Sequence, residues 1–246
     1  MLELTKVTKN FGGLRAIGDV GFTIRKGAIV GLIGPNGSGK TTLFNLITGV
    51  YGLSSGTITF EGKRIHGVKP FRICHMGIGR TFQITRPFPM MTVRENVAIG
   101  AIFGKAVWGA SPREAFFLAD EALERVGLSE HRDHLVTEIT LADKKKVELA
   151  KAVATRPRLL LLDEVLGGLN MTEVGEVMKV IRGFHQSGLT IILVEHVMKA
   201  IVALAERTIV LNFGNLVADG PTAEVMNDPR VIDIYLGKDI LSAASL

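Results

Sequence analysis

Two short runs in this 246-residue chain carry residue types and spacings suited to phosphate chemistry. Gly34-Pro35-Asn36-Gly37-Ser38-Gly39-Lys40-Thr41 follows a continuous apolar stretch, Ala28 to Ile33, and leads into Thr42, Leu43, Phe44, Leu46 and Ile47 at helix-like spacing. A G-x-x-x-x-G-K-[ST] octet between a strand and a helix is the arrangement that cradles phosphate. Its glycines let the backbone wrap closely, so that several N–H groups point at the anion, and the following helix adds its positive end. Lys40 is then placed to reach the β and γ oxygens of a nucleoside triphosphate, and the Thr41 hydroxyl to ligate Mg²⁺.

The second run is Leu159-Leu160-Leu161-Leu162-Asp163-Glu164, a buried-type strand that delivers two carboxylates at its end. Asp163 suits Mg²⁺, directly or through water, and Glu164 suits polarising an attacking water. In isolation the pair would read equally well as an acidic helix cap after a strand. Beside a phosphate loop the chemical reading prevails. No N-K-x-D motif for guanine occurs, which argues against a GTPase.

The elements that must position these groups read as a mixed α/β fold. Val20, Phe22 and Ile24 share one side of a strand, as do Ile58 and Phe60 ahead of the Glu61-Gly62 turn. Period two of this kind predicts half-buried antiparallel strands. Ala28–Ile33, Leu159–Leu162, Thr190–Val194 and Thr208–Leu211 are instead continuously apolar, which predicts a parallel sheet covered on both faces. Residues 92 to 155 have helical periodicity. Ser111-Pro112-Arg113-Glu114 reads as a capping box with proline at the first helical position; Phe116, Ala119, Leu123 and Val126 follow at helical spacing, and Gly127 is a natural stop. The expected organisation is one domain over 1–246, with a core lobe at about 1–91 and 156–246 and an inserted helical subdomain at about 92–155.

Composition narrows the class. Hydrophobic residues make up 47% and charged residues 22% of the chain, and Cys74 is the only cysteine, so a disulfide framework is excluded. Mean hydropathy is +0.30, yet no run approaches the roughly 18 to 20 apolar residues that a spanning helix needs. Met1-Leu2-Glu3-Leu4-Thr5 lacks the pattern of a signal peptide. Any membrane role is expected to be peripheral. The net charge of +5 comes from scattered residues apart from Lys144-Lys145-Lys146, with no finger, RNP or helix-turn-helix pattern beside them, so no nucleic-acid partner is expected. His131 and His134 are read as an exposed turn and not as a metal site.

With the phosphate loop and the acidic pair in this order, the chain resembles the ABC ATPases over nearly its whole length. The resemblance implies an α/β ABC ATPase (P-loop NTPase) fold, with an antiparallel β lobe and the helical insert, and Mg²⁺-dependent ATP hydrolysis. It implies an ATP site of Phe11, stacking on adenine, with Gly34, Pro35, Asn36, Gly37, Ser38, Gly39, Lys40, Thr41 and Thr42. Mg²⁺ would be held by Thr41, Gln83 and Asp163. Catalytic roles fall to Glu164, His196 (a γ-phosphate contact after an apolar strand), Gln83 (the Q-loop glutamine of Arg80-Thr81-Phe82-Gln83) and Lys40. Gly167-Gly168-Leu169-Asn170 matches the D-loop. Phe11-Gly12-Gly13-Leu14, Gly77 to Gln83, Met91 to Val97, and a tail running from Gly220-Pro221 through Asp228 to Ile232 and then Tyr235-Leu236-Gly237 are similar to the ATPases of branched-chain amino acid importers. Amide and urea importers share this pattern, and soluble ABC proteins without a transport role are the more distant alternative. The implied partners are a second ABC ATPase subunit, transmembrane permease subunits and, indirectly, a substrate-binding protein, with the chain peripheral on the cytoplasmic face of the membrane.

One motif departs from the family. The signature, commonly Leu-Ser-Gly-Gly-Gln, aligns with Ile139-Thr140-Leu141-Ala142-Asp143, which retains a hydroxyl but neither glycine. Either Thr140 to Asp143 is a capping box whose helix N-terminus still offers N–H groups to a phosphate, or Leu141 blocks the close approach that glycine permits. The second reading favours a heterodimer with a glycine-bearing partner, and the first allows a homodimer. Residues Ile84 to Met91 are unusually apolar for a loop and are expected to face the membrane subunit.

Overall fold

The computed structural model describes residues 1–82, 87–104 and 111–235. The chain divides into two compact units, Met1–Lys69 with Ile192–Leu246, and Pro70–Ile191.

The first unit opens with β1 (Leu2–Phe11) and β2 (Leu14–Ile24), then β3 (Ile29–Ile33), α1 (Lys40–Ile47), β4 (Ser55–Phe60) and the two-residue β5 (Lys63–Arg64). An antiparallel sheet in the order β2-β1-β4-β5 sets Leu2 opposite both Ile24 and Phe60, and Leu4 opposite Phe22 and Ile58. Alternate residues of each strand share a face, so this register gathers the buried set on one side, as the period-two pattern requires. Glu61 and Gly62 both have positive φ, the conformation of the expected tight turn. β3 is buried throughout and pairs in parallel with β9 (Arg207–Asn212), which carries β10 (Asn215–Pro221) antiparallel on its other edge.

The second unit contains α2 (Pro70–His75), β6 (Ile78–Arg80), α3 (Val93–Phe103), α4 (Pro112–Val126), α5 (Leu141–Ala154), β7 (Leu159–Asp163) and α6 (Met171–Gln186). β6 and β7 are parallel, with Ile78 opposite Leu159 and Arg80 opposite Leu161. The remaining elements are β8 (Thr190–Val194), within which the division between the units falls, α7 (Met198–Leu204) and α8 (Thr222–Val225). No described helix is long and apolar enough to cross a membrane.

Helices α3, α4 and α5 pack on one another, and Val93, Val97, Ala101, Ala119, Leu123, Val126, Val147, Leu149 and Ala150 are buried among them. Their ends follow local chemistry. Ser111 caps α4 with the full reciprocal box to Glu114, and Pro112 occupies its first turn. Phe116, read as part of the apolar stripe, is only half-buried and carries the Arg94 guanidinium 4.7 Å from its ring centre. A buried asparagine adds what the periodicity does not show. Asn96 Oδ1 accepts the Phe88 N–H at 2.7 Å, and its Nδ2 donates to the Phe88 and Thr92 carbonyls at 3.1 and 3.0 Å. It clamps the turn at Pro87–Met91 onto α3. His131 and His134 lie on and just after the 3₁₀ turn Ser129–His131 with their rings 5.3 Å apart.

Gly127 ends α4 in the left-handed region at φ 72°, and a Cβ placed there would meet nothing within 4 Å. Gly127→Ala therefore isolates the backbone cost of that conformation. It should destabilise the protein by about 1 kcal/mol and lower Tm by about 2–4 °C, measured by calorimetry. An unchanged Tm would mean that the helix end relaxes out of the left-handed conformation.

Candidate functional site

In the first unit, the loop between β3 and α1 leaves a helix N-terminus open. α3, α4, α5 and α6 each begin on a residue whose side chain accepts a backbone N–H. α1 begins on Gly39, with no side-chain cap and no acidic residue in its first turn. The first N–H groups of a helix have no partner within it, and an end of this kind is one that can accept an anion. Gly34 and Gly39 are required for steric reasons. At Gly39 (φ 105°) a Cβ would stand 2.6 Å from Ile17 Cδ1 and 2.9 Å from the Ala16 carbonyl, and at Gly34 it would run into the Leu211 carbonyl. Lys40 is 6% exposed, and its Nζ donates to the carbonyls of Gly34 (2.7 Å) and Pro35 (3.0 Å). The loop thus supplies acceptors to its own buried ammonium. Asn36, Gly37 and Thr41 are exposed and Thr42 is half-buried; Ser38 is buried, with no partner for its hydroxyl among the described residues.

Other residues of this unit complete the picture. Phe11, at the end of β1, is exposed and meets Tyr51 edge-on at 5.2 Å, with Lys9 Nζ 4.8 Å from the centre of the Phe11 ring. Tyr51 lies in a loop with no periodicity to mark it, so only the fold reveals the pair. A cavity of about 350 Å³ borders the loop, lined by Pro35, Asn36, Ser38, Phe213 and Ile234 among others. Burial pushes the Tyr235 phenol up to about 12, with the Gly34 backbone beside it working the other way. The tail residue Tyr235 therefore stands next to the first loop glycine. His196 is exposed, two residues beyond the end of β8, and follows the buried Glu195.

In the second unit β7 is buried along its whole length and ends in Asp163, which is 1% exposed. Arg80 Nη2 donates to Asp163 Oδ2 at 2.9 Å, and the Asp163 N–H donates to Thr81 Oγ1 at 3.1 Å. Glu164 follows, half-buried, with φ at 52°. A non-glycine residue held in that region costs of order 1–3 kcal/mol, and Glu164 shares it with Lys6, Asp19, Glu61, Arg156 and Phe213. Strand periodicity gives no sign of it. Gln83 lies outside the described residues.

The signature segment forms a half cap. Thr140 Oγ1 accepts the Asp143 N–H at 3.1 Å, but the aspartate side chain returns to the Thr140 hydroxyl (2.8 Å). Lys146 lies between Asp143 (3.5 Å) and Glu176 (2.9 Å), and Lys145 is buried. The lysine run is therefore partly neutralised and partly packed away. Leu141 is half exposed, with its Cδ2 3.4 Å from where a Cβ on Gly168 would stand. This brings the signature and D-loop segments together within the unit.

This inventory suits phosphoryl chemistry: an uncapped helix end, a lysine within the loop, hydroxyl and carboxylate oxygens of the kind that hold a hard cation, and a strained carboxylate. Comparison with known proteins agrees. The family described as "ABC transporter" matches residues 17–167, and one described as "Branched-chain amino acid ATP-binding cassette transporter" matches residues 215–240. The high-affinity branched-chain amino acid transport ATP-binding protein LivG of Salmonella typhimurium is 36% identical, covering 97% of this chain and 98% of that protein. BraF of Pseudomonas aeruginosa, with the same description, is 34% identical, again covering 97% and 98%. Among solved structures, the ADP conformation of an ATP-binding cassette of an ABC transporter has a TM-score of 0.85 at 31% identity, covering 96% of this chain and 98% of that one. A dimeric post-hydrolysis cassette bound to ADP and Pi has a TM-score of 0.80 at 25% identity, covering 90% and 99%. Glycine loop, acidic strand end and near-full-length likeness lead to one conclusion: the chain belongs to the ABC transporter family, as one of its ATP-hydrolysing cassettes.

Proposed function

We propose that this chain is the ATP-hydrolysing subunit of an importer for branched-chain amino acids, peripheral on the cytoplasmic face of a membrane. The observation that carries the ATPase reading is the glycine-wrapped N-terminus of α1, which has no side-chain cap and no acid, with Lys40 folded into the same loop. The choice of cargo is supported by the relatives' descriptions and by the match at residues 215–240. Phe11 stacks on adenine, and the residues from Gly34 to Thr42 hold the phosphates. Thr41, Gln83 and Asp163 are the oxygen donors that would hold Mg²⁺, which when bound neutralises charge on the phosphates. Glu164 accepts the proton of the attacking water as it approaches the γ-phosphorus, and His196 donates to the γ-phosphate. Glu164→Gln should keep ATP binding and slow turnover by on the order of a hundredfold or more, read as steady-state phosphate release from the complete transporter. Unchanged hydrolysis would remove Glu164 from this role.

The partners are transmembrane permease subunits and a second cassette. The permease meets the turn clamped by Asn96, where Met90 is 85% exposed. Met90→Glu should release the chain from permease-containing membranes and leave ATP binding intact. Unfolding of the isolated chain would instead make Met90 part of the core.

The second cassette differs from this one. In the family's geometry each ATP lies between one subunit's phosphate loop and the other's signature. Here Asp143 brings a carboxylate to the N-terminus of α5, where a phosphate would have to approach. A heterodimer with a glycine-bearing partner signature completes this chain's own loop. Lys40→Ala should remove most of the pair's hydrolysis, whereas Thr140→Ala should cost much less. Brisk hydrolysis by this chain alone, abolished by Thr140→Ala, would overturn the asymmetric arrangement.

A further inference from the structure

Asp163 is held by a residue from a different strand. Arg80 closes β6, Asp163 closes β7, and the two strands run in parallel with Arg80 opposite Leu161. The ion pair is 2.9 Å long, with the side chains 7% and 1% exposed. Two charges so far from water are tolerated only in good geometry, because neither recovers its hydration elsewhere. The backbone reinforces the grip. Thr81, next to Arg80, donates its N–H to the Leu161 carbonyl at 2.9 Å, and its hydroxyl accepts the Asp163 N–H at 3.1 Å. The Arg80 guanidinium also lies 5.1 Å from the centre of the Phe82 ring, two residues further along.

We propose that Arg80 is a positioning residue for the metal-binding carboxylate: it fixes the orientation of Asp163 and makes that orientation depend on β6, the neighbouring strand. A carboxylate is planar, so anchoring Oδ2 also sets the direction of Oδ1. A guanidinium does this better than an ammonium, because its donors form a rigid fork instead of a rotating point charge. The inference rests on Asp163 being a Mg²⁺ ligand, as read above. Arg80 also repels a nearby cation, and the experiment decides between orientation and repulsion.

The probe is Mn²⁺, titrated into the full chain saturated with a non-hydrolysable ATP analogue and followed by electron paramagnetic resonance of the free ion. Arg80→Met keeps the aliphatic stem and removes the fork. It should weaken Mn²⁺ binding by about 10- to 100-fold, as loss of an outer partner of a ligand does, while metal-free affinity for the analogue stays as in the parent chain. Arg80→Lys should fall between the two. A purely structural role would weaken nucleotide and metal binding together. Unchanged or tighter Mn²⁺ binding in Arg80→Met would overturn the proposal, and if that variant does not fold, unchanged binding in Arg80→Lys does so. Asp163→Asn separates the two readings: if it retains full Mn²⁺ affinity, Asp163 is not the ligand, whatever Arg80 does.

Discussion

A helix presents backbone N–H groups at its start that nothing inside it can accept, and the fate of those groups at α1 governs the design of the first unit. Four other helices spend a threonine, serine or asparagine on the problem. α1 does not, and neither do the short α7 and α8; what sets α1 apart is the glycine-wrapped loop that leads into it. β3 delivers the chain from a fully buried position. Glycine at 34 and 39 removes the side chains that would strike the Leu211 and Ala16 carbonyls. The β9–β10 turn then locks the loop from outside, with the Gly214 N–H donating to the Ser38 carbonyl at 3.0 Å and the Gly18 N–H to the Gly214 carbonyl at 2.9 Å. Backbone contacts thus hold the loop in place while the start of α1 carries no side-chain cap.

The second unit meets the opposite problem, a carboxylate driven into the interior. β7 is buried at every position, so the acid that ends it must find compensation within the protein. Arg80 and Thr81 provide it from the neighbouring strand. Glu164 escapes the same burial by turning into the left-handed region, which takes the chain off the strand direction at once. Two adjacent carboxylates therefore differ sharply in environment: one is pinned and buried, the other half-buried at a strained corner.

What was legible in the sequence was local. The octet at Gly34–Thr41, the box at Ser111–Glu114, the stop at Gly127 and the alternation of β2 and β4 are each set by neighbours a few residues away, where composition and conformation are directly linked. What was not legible depends on partners distant in the chain. Arg80 and Asp163 are 83 residues apart, and nothing in either strand marks the pairing before the strands are placed side by side. The Phe11–Tyr51 contact and the positive φ of Glu164 are of the same kind. Asn96 sits in a good helical pattern and reads as an ordinary helix residue, because its function as a clamp exists only once the Phe88 turn folds back. The box that was one of the two readings at Thr140 is only half formed, for a simple reason of reach: Asp143 is one methylene shorter than glutamate and bonds the hydroxyl instead of the backbone.

That half cap makes α5 electrostatically unlike α1. Both helices follow a loop, and both present a positive end. At α1 no acid lies in the first turn, so the dipole is left for an external anion. At α5 the Asp143 carboxylate already lies there, bonded to Thr140 and 3.5 Å from Lys146, and Lys146 is shared with Glu176. A phosphate approaching this end would meet a carboxylate and a lysine already engaged. The cost of displacing those contacts falls on α5 alone. The two helix starts therefore differ in their own side chains: α1 begins on a glycine with no acid in its first turn, and α5 begins on a threonine bonded to Asp143.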